Sequence, residues 1–389
     1  MSQKAGPLAH MTVVEFAGLG PAPFAGMVLS DLGARVIRID RAPKSTKSSV
    51  FDEMTARHAD VLSRGRESIA LDLKQPEAVE IALELIAQSD ALLEGYRPGV
   101  MESLGLGPEQ CLQKNSRLVY GRITGWGQTG PLAQSAGHDI NYLALTGALH
   151  ATGKGKPVPT PGLIGDFGGG GMLLLVGLLA AFSEAQRSGK GQVVDASICD
   201  GSALLTALIQ GWHSVGLWSN ETGTNMGDGG AHFYNTYRCA DGKYISIGSV
   251  EPQFYSLLRE HCGLTDSEFE QQWDKRRWAD LQSRVEQVIA GHDRDYWTQL
   301  LEGTDVCFAP VLDLDEAPEH PHNKVRNTFA KVNGITQPAP APKFSRSALG
   351  PCQDVGKVGD KTCRILEELG FTTDQVAQFK GKNTVWYDV

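Results

Sequence analysis

The sequence has little of what marks a secreted, metal-loaded or nucleic-acid-binding chain. It holds seven cysteines, at positions 111, 199, 239, 262, 307, 352 and 363, and no two of them form a Cys-x-x-Cys pair. An odd, scattered set gives no disulfide framework and points to free thiols in a reducing compartment. Cys and His nowhere approach ligand spacing, apart from the loop-like Glu319-His320-Pro321-His322, so no metal is expected. Basic charge is also short: 36 Lys and Arg stand against 45 Asp and Glu, for a net −9. That balance excludes a general nucleic-acid binder, while local basic groups remain able to hold an anionic ligand.

Addresses and long apolar runs are missing too. The first residues lack the charged segment, apolar run and cleavage site of a secretory signal. The ending Trp386-Tyr387-Asp388-Val389 is not a peroxisomal address of the Ser-Lys-Leu type. A cytoplasmic location is expected, with peroxisome or mitochondrion as alternatives. The most apolar stretch, residues 172–182, is too short to span a bilayer and reads as a buried helix, so no membrane insertion is expected.

What is present is an α/β pattern. Residues 12–17 read as a strand, 21–32 as a helix stopped by Gly33, and 35–39 as the next strand. Residues 68–73 repeat the strand signal. Pro76 then suits a first helical position, and Ala78, Ile81, Ala82, Leu85 and Ile86 recur at helical spacing. Further strands fall at 91–93 and 118–123. The sum is a Rossmann-like, doubly wound sheet, but no Gly-x-Gly-x-x-Gly follows the first strand, which disfavours a nicotinamide cofactor.

Residues 220–230 turn to Gly, Asn, Thr and Asp and read as a linker. Beyond them, 234–239 and 244–248 flank an Asp241-Gly242 turn, a hairpin signal. Helical patterns at 251–262, 278–290 and 295–302 complete a smaller α+β region. A Pro-rich connector at 337–343 leads to a last helical segment at 361–369.

Three stretches offer chemistry. The glycine-rich Gly125-Trp126-Gly127-Gln128-Thr129-Gly130-Pro131 precedes Ala136-Gly137-His138-Asp139-Ile140-Asn141-Tyr142. At a helix start the dipole disfavours imidazolium, so His138 is either a neutral base or simply part of the helix start, with Asp139 as its cap. Gly165-Asp166-Phe167 runs into four consecutive glycines and an apolar helix. Asp166 there is either a base or nucleophile, or an N-cap with glycines for tight packing. The Lys-Ser/Thr of a P-loop is absent. Glu251, before Pro252, reads alone as an acidic residue favoured at a helix start.

These segments together resemble the family III CoA-transferase (CaiB/BaiF) group, and most closely its α-methylacyl-CoA racemase branch. The likeness also takes in Gly33-Ala34-Arg35-Val36-Ile37-Arg38-Ile39-Asp40, Glu94-Gly95-Tyr96-Arg97-Pro98-Gly99 and Gly189-Lys190-Gly191-Gln192-Val193-Val194-Asp195. It implies a Rossmann-like CoA-binding domain, residues 1–219 with 335–389 as a C-terminal return, and a small α+β domain at 230–334. It implies an interlocked homodimer with the site at the subunit or domain interface.

By the same resemblance, His138 and Asp166 are two catalytic bases that invert the 2-methyl stereocentre of an acyl-CoA by proton transfer through an enolate. Glu251 orients the histidine, Tyr234 stands near the aspartate, and the N–H of Asp139 receives the enolate oxygen. Arg38, Arg64, Arg66 and Arg97 are its candidate phosphate contacts on CoA, although Arg64 departs from the asparagine usual nearby and the loop at 43–58 looks variable. CoA is part of the substrate and no other cofactor is implied. Two alternatives remain: a CoA-transferase with Asp166 as nucleophile, which typically lacks the histidine, and a non-catalytic acyl-CoA-binding protein.

Overall fold

The computed structural model describes residues 5–42 and 60–387; the variable-looking loop at 43–58 lies outside them. The chain divides into two compact units. The first holds residues 1–146, 160–205 and 327–389, and the second holds 147–159 and 206–326. Residues 147–159 and 206–219 thus group with the second unit and 327–334 with the first, unlike the boundaries that the resemblance implies.

The first unit is built on parallel strands β1 (Thr12–Phe16), β2 (Arg35–Asp40), β3 (Glu67–Leu71), β4 (Ala91–Glu94), β5 (Val119–Thr124) and β6 (Gln192–Ser197). Their spatial order is β3-β2-β1-β4-β5-β6, so the winding direction reverses between β1 and β4. Alternate side chains point to opposite faces of such strands. Val14, Phe16 and Leu92 accordingly enter one buried cluster, while Val13, Ala91 and Leu93 enter another on the other face. Helix α1 (Pro21–Asp31) and helix α2 (Pro76–Ala87) both begin on a proline, as Pro fits a first turn whose N–H groups have no intrahelical partner.

Past β5 the short helix α3 (Asp139–Leu145) is followed by a π-helix at Leu163–Met172, which continues without a break into helix α4 (Leu173–Ser188). This is the main departure from the reading of residues 172–182 as one short buried helix. The continuous helix is 26 residues long, enough by length and composition to cross a membrane, yet it carries two kinds of face. Leu174, Leu175, Leu178, Ala181, Phe182 and Ala185 are buried in the sheet-facing cluster, whereas Leu163, Met172 and Val176 are exposed.

The glycines of the π-helix let it lie against helix α5 (Ile198–Leu205). A Cβ built on Gly201 would sit 1.8 Å from the carbonyl oxygen of Gly169, and one on Gly169 would sit 2.7 Å from the N of Ser202. This backbone-to-backbone approach explains Gly169, while a Cβ on Gly171 would meet α1, at 2.7 Å from the Phe24 ring and 3.0 Å from the carbonyl oxygen of Pro21.

The second unit carries the antiparallel strands β7 (Tyr234–Arg238), β8 (Tyr244–Gly248) and β9 (Phe308–Val311). The first two form the expected hairpin, with Tyr234 opposite Gly248; β9 was not expected, being only four residues long with a proline inside. Helices α6 (Pro252–His261), α7 (Trp278–Ile289) and α8 (Arg294–Leu301) bury Tyr255, Leu258, Trp278, Leu281, Val285, Ile289, Trp297 and Leu301 with the hairpin's Tyr237 and Ile245. His232 is fully buried in this core with Nε2 2.7 Å from the Tyr255 hydroxyl, and desolvation pushes its pKa down to about 4, so it is neutral near pH 7.

The stretch at 220–230 is more ordered than a linker: Asp228 Oδ1 accepts the N–H of Asn225 at 2.9 Å, and Asn225 is buried. Residues 327–387 belong again to the first unit. There β10 (Phe329–Val332) and β11 (Ile335–Pro338) pair as a hairpin, so the Pro-rich connector begins as a strand. Helices α9 (Thr362–Glu368) and α10 (Thr373–Gly381) follow. Finally β12 (Val385–Trp386) pairs antiparallel with β3, Val385 opposite Leu71, and becomes the seventh strand of the main sheet.

Candidate active site

In open α/β sheets, ligands settle outside the carboxyl ends of the strands where the winding reverses. That rule selects the segments leaving β1, β4 and β5, and the structure has a cavity of about 390 Å³ there. Its walls include Gly95, Tyr96 and Arg97, just past β4, together with Gly125, Trp126 and His138, which follow β5. The Tyr96 hydroxyl donates to the carbonyl of Ala17 at 3.1 Å, tying the segment after β4 to the one after β1.

His138 is the N-cap residue of α3, in extended backbone geometry. Its carbonyl accepts the N–H of Asn141 at 2.8 Å, and its own N–H donates to Asn141 Oδ1 at 3.0 Å. Its side chain is exposed on the cavity wall. The expectation that Asp139 would cap this helix is corrected: Asp139 is the first helical residue, so its backbone N–H belongs to the turn whose donors have no intrahelical partner.

The Asp139 carboxylate turns instead to the π-helix, where Oδ1 accepts the backbone N–H of Asp166 at 2.8 Å. Gly165 makes room for it, since a Cβ there would lie 2.2 Å from that same oxygen. Asp166 is not an N-cap either; it is the fourth residue of the π-helix, and Gly162 precedes the first turn. In that turn the N–H of Phe167 reaches the carbonyl of Gly162 at 2.9 Å, an i to i−5 bond. Turns of this kind are rare and concentrate at functional sites.

The Asp166 side chain is half-buried and passes close to Gly20, the residue before α1. Its pKa is pushed up to about 6, chiefly by desolvation and then by the charge of Asp139, with His138 pulling the other way. A carboxyl group titrating there supplies both of its protonation states near neutrality.

Two aromatic residues that were quoted but given no role hold this corner together. Trp126 and Tyr142 stack edge to face with centroids 4.8 Å apart. The Tyr142 hydroxyl donates to the carbonyl of Gly137, and Trp126 Nε1 donates to the carbonyl of Ser135 at 3.2 Å. The loop that delivers His138 is thus pinned immediately before it. Their spacing around the His-Asp pair was visible, but nothing in the sequence says which carbonyls they meet.

The four arginines separate cleanly. Arg64 is 1% exposed, and its guanidinium is held by Asp31, by Gln337 Oε1 at 2.8 Å and by the carbonyl of Pro338 at 2.9 Å. Arg66 is buried with Nε 2.8 Å from Glu15, also buried, and donates to the carbonyls of Arg64 and Pro23. Arg38 is buried against Asp40 at 3.2 Å and against Ser63. These three are internal ion pairs, and drawing one away would leave a buried carboxylate without its partner, at a cost of about 3–5 kcal/mol. Arg97 alone among them is exposed, and it lines the cavity.

In the second unit, Glu251 is the exposed N-cap residue of α6, rather than a first-turn residue. Tyr234 is 42% exposed at the start of β7, with its ring against Gly248. Gly248 donates its N–H to the carbonyl of Cys307 at 2.9 Å, and the Cys307 thiol is raised in pKa by desolvation and by the charge of Glu251. Tyr234, Glu251 and Cys307 therefore gather at one end of the three-stranded sheet. Among the described residues, no three His, Cys, Asp or Glu converge as a metal site; His320 instead meets Glu302 at 2.8 Å.

The chain is 40% identical to the α-methylacyl-CoA racemase of Mus musculus, covering 98% of each chain, and 40% identical to that of Homo sapiens, covering 97% of each. It is 29% identical to the acetyl-CoA:oxalate CoA-transferase of Acetobacter aceti, over 87% of this chain and 90% of that one. In fold it is similar to the crystal structure of a CaiB/BaiF family protein from Brucella suis, with a TM-score of 0.78 at 24% identity, covering 94% of this chain and 100% of that one. The family model for CoA-transferase family III matches residues 8–351. With that match spanning most of the chain and full-length relatives beside it, the chain belongs to CoA-transferase family III.

Proposed function

We propose that this chain is an α-methylacyl-CoA racemase, an isomerase that inverts the 2-methyl stereocentre of branched acyl-CoA thioesters by two-base 1,1-proton transfer. The observation that carries the reading is the pairing of His138 with Asp166. Asp139 joins the main chain of His138, whose side chain lines the cavity at the switch point of the sheet, to the main chain of Asp166, a carboxyl group of raised pKa. The 40% identity to proteins named α-methylacyl-CoA racemase supports it.

The chemistry follows from that pair. One group removes the α-proton from one face of the thioester, and the other returns a proton to the opposite face. In between, the negative charge moves to the thioester oxygen, where a backbone N–H at a helix start, that of Asp139, is the donor in place. Arg97 is the guanidinium at the cavity for an anionic group of CoA. The same reading assigns Glu251 to orient the histidine and Tyr234 to stand near the aspartate, as the family likeness implies. Proton transfer needs no cofactor beyond the CoA of the substrate.

Incubation with one enantiomer of a 2-methylacyl-CoA in deuterium oxide tests this directly. Deuterium enters the α-position as the other enantiomer accumulates. Movement of CoA to a free carboxylate with no α-deuterium would overturn it in favour of the transferase chemistry that an Asp166 nucleophile performs. Binding of acyl-CoA with neither event would leave only a binding protein.

A homodimer is part of the same reading. Leu204 and Leu205 on α5, and Leu208, Val215 and Leu217 in the second unit, are all more than half exposed. Apolar side chains displayed in such number mark interaction surfaces. Sedimentation equilibrium should give twice the 41.9 kDa chain mass; a monomer at micromolar concentration would remove the dimer from the proposal.

A further inference from the structure

The side chain of Asp139 stands at a junction that the proton-transfer scheme leaves unused, since the scheme takes only its backbone N–H. Its main chain is joined to His138 by a peptide bond, and its carboxylate holds the main chain of Asp166 at 2.8 Å. Only one side chain thus stands between the two backbone positions whose relative placement the reaction depends on. The fit is close on the far side too, because Gly165 leaves that oxygen no space for a Cβ. A half-buried carboxylate beside another carboxyl group is disfavoured unless a hydrogen bond compensates it.

We propose that the side chain of Asp139 is the positioning residue of the pair: it fixes the π-helix turn that carries Asp166 in register with the helix start that carries His138. The role rests on the racemase reading, and it adds a second effect to the first. A fixed negative charge beside Asp166 favours the protonated carboxyl, so the carboxylate that places the group also adds to the upward push that burial gives its pKa.

Among the described residues, few groups face Asp166. Helix α3 and the residue before it contribute Asp139, His138 and Tyr142. The start of α1 contributes Gly20, which does not titrate, and Phe24 in ring contact with Phe167. Helix α5, packed on the same π-helix, carries Cys199 and Asp200; the charge of Asp200 acts on Cys199, and neither is among the charges acting on Asp166.

Two substitutions separate placement from charge. Asp139→Ala removes both, and kcat for α-deuterium exchange falls by roughly ten- to a hundredfold with KM little changed, as expected when a reacting group is misplaced. Asp139→Asn keeps an oxygen acceptor without the charge, lowers kcat less, and moves the acid limb of the pH profile from near 6 to lower pH. The sign is fixed: removing a neighbouring negative charge lowers a carboxyl pKa.

Titration of Asp166 by carboxylate 13C NMR, assigned by the signal missing from Asp166→Asn, gives the same shift without any reference to turnover. If Asp139→Ala loses thermal stability but no kcat, the positioning role is overturned; if Asp166 titrates at the same pH in Asp139→Asn as in the unaltered protein, the charge effect is overturned. A shifted titration in a protein with no α-exchange would leave the placement standing and remove the racemase reading instead.

Discussion

His138→Ala is expected to lose inversion of a 2-methylacyl-CoA by roughly 10²–10⁴-fold, the range for removing one general acid–base group. It should nonetheless keep deuterium exchange at the one enantiomer whose α-proton faces Asp166. That carboxyl group still removes the proton, trades it with solvent, and returns deuterium to the same face. Asp166→Asn is expected to do the reverse, exchanging only the other enantiomer. The two variants together therefore read out the geometry as chemistry, each base assigned to one face. Chiral separation of the products with mass spectrometry of the α-position gives both quantities at once. If both variants exchange the same enantiomer, or if either inverts at the original rate, the two-base assignment is wrong. The carboxyl side of the pair suits this use, because its pKa near 6 keeps it ionised at neutral pH yet protonatable within a unit or so.

The largest expected effect on stability lies away from the reacting groups. Gly201→Ala should destabilise the first unit by about 3 kcal/mol or more, at or beyond the upper end for overpacking a tight core. A Cβ on Gly201 would stand 1.8 Å from a carbonyl oxygen, and its other near neighbours are the main chain of Gly169. No flexible side chain is there to move aside, so α5 and the π-helix must separate. Because Asp166 rides on that π-helix, kcat should drop along with the urea midpoint. As a control, Gly211→Ala replaces a glycine on a helix with open space around its Cβ, and the midpoint should hold or rise. Equal midpoints for Gly201→Ala and the unaltered protein would show that the crossing is not tight.

The parts of the fold readable from sequence are those in which a local signal has one physical meaning. Gly33 and Pro76 mark a helix end and a helix start, and both helices end or begin within a residue or so of where those residues place them. Asp241-Gly242 places its hairpin for the same reason. Strands β9 and β12 escaped because they are four and two residues long and take their meaning from partners far along the chain.

The site was legible only in pieces. A histidine before a helix and an aspartate before glycines each had an ordinary explanation. For Asp166 half of that explanation stands, since the glycines do pack against another helix. What local pattern could not express is that Asp139 reaches the main chain of Asp166, 27 residues later. The arginines differ among themselves: Arg64 and Arg66 look available in sequence because nothing local reveals that Asp31 and Glu15 enclose them, whereas Asp40, two residues on and on the same strand face, was a legible partner for Arg38.

The antiparallel pairing of β12 with β3 sets a timetable for synthesis. Val385 lies opposite Leu71, so about 300 residues separate the two partners. At the usual pace of a ribosome, roughly 15 to 60 s pass between the appearance of one and of the other. For that interval the outer edge of β3 presents a row of unmatched peptide groups to whatever strand is near, including another nascent copy. A heat-shock chaperone that shields this edge during translation would therefore raise the yield of folded protein more than one acting after release.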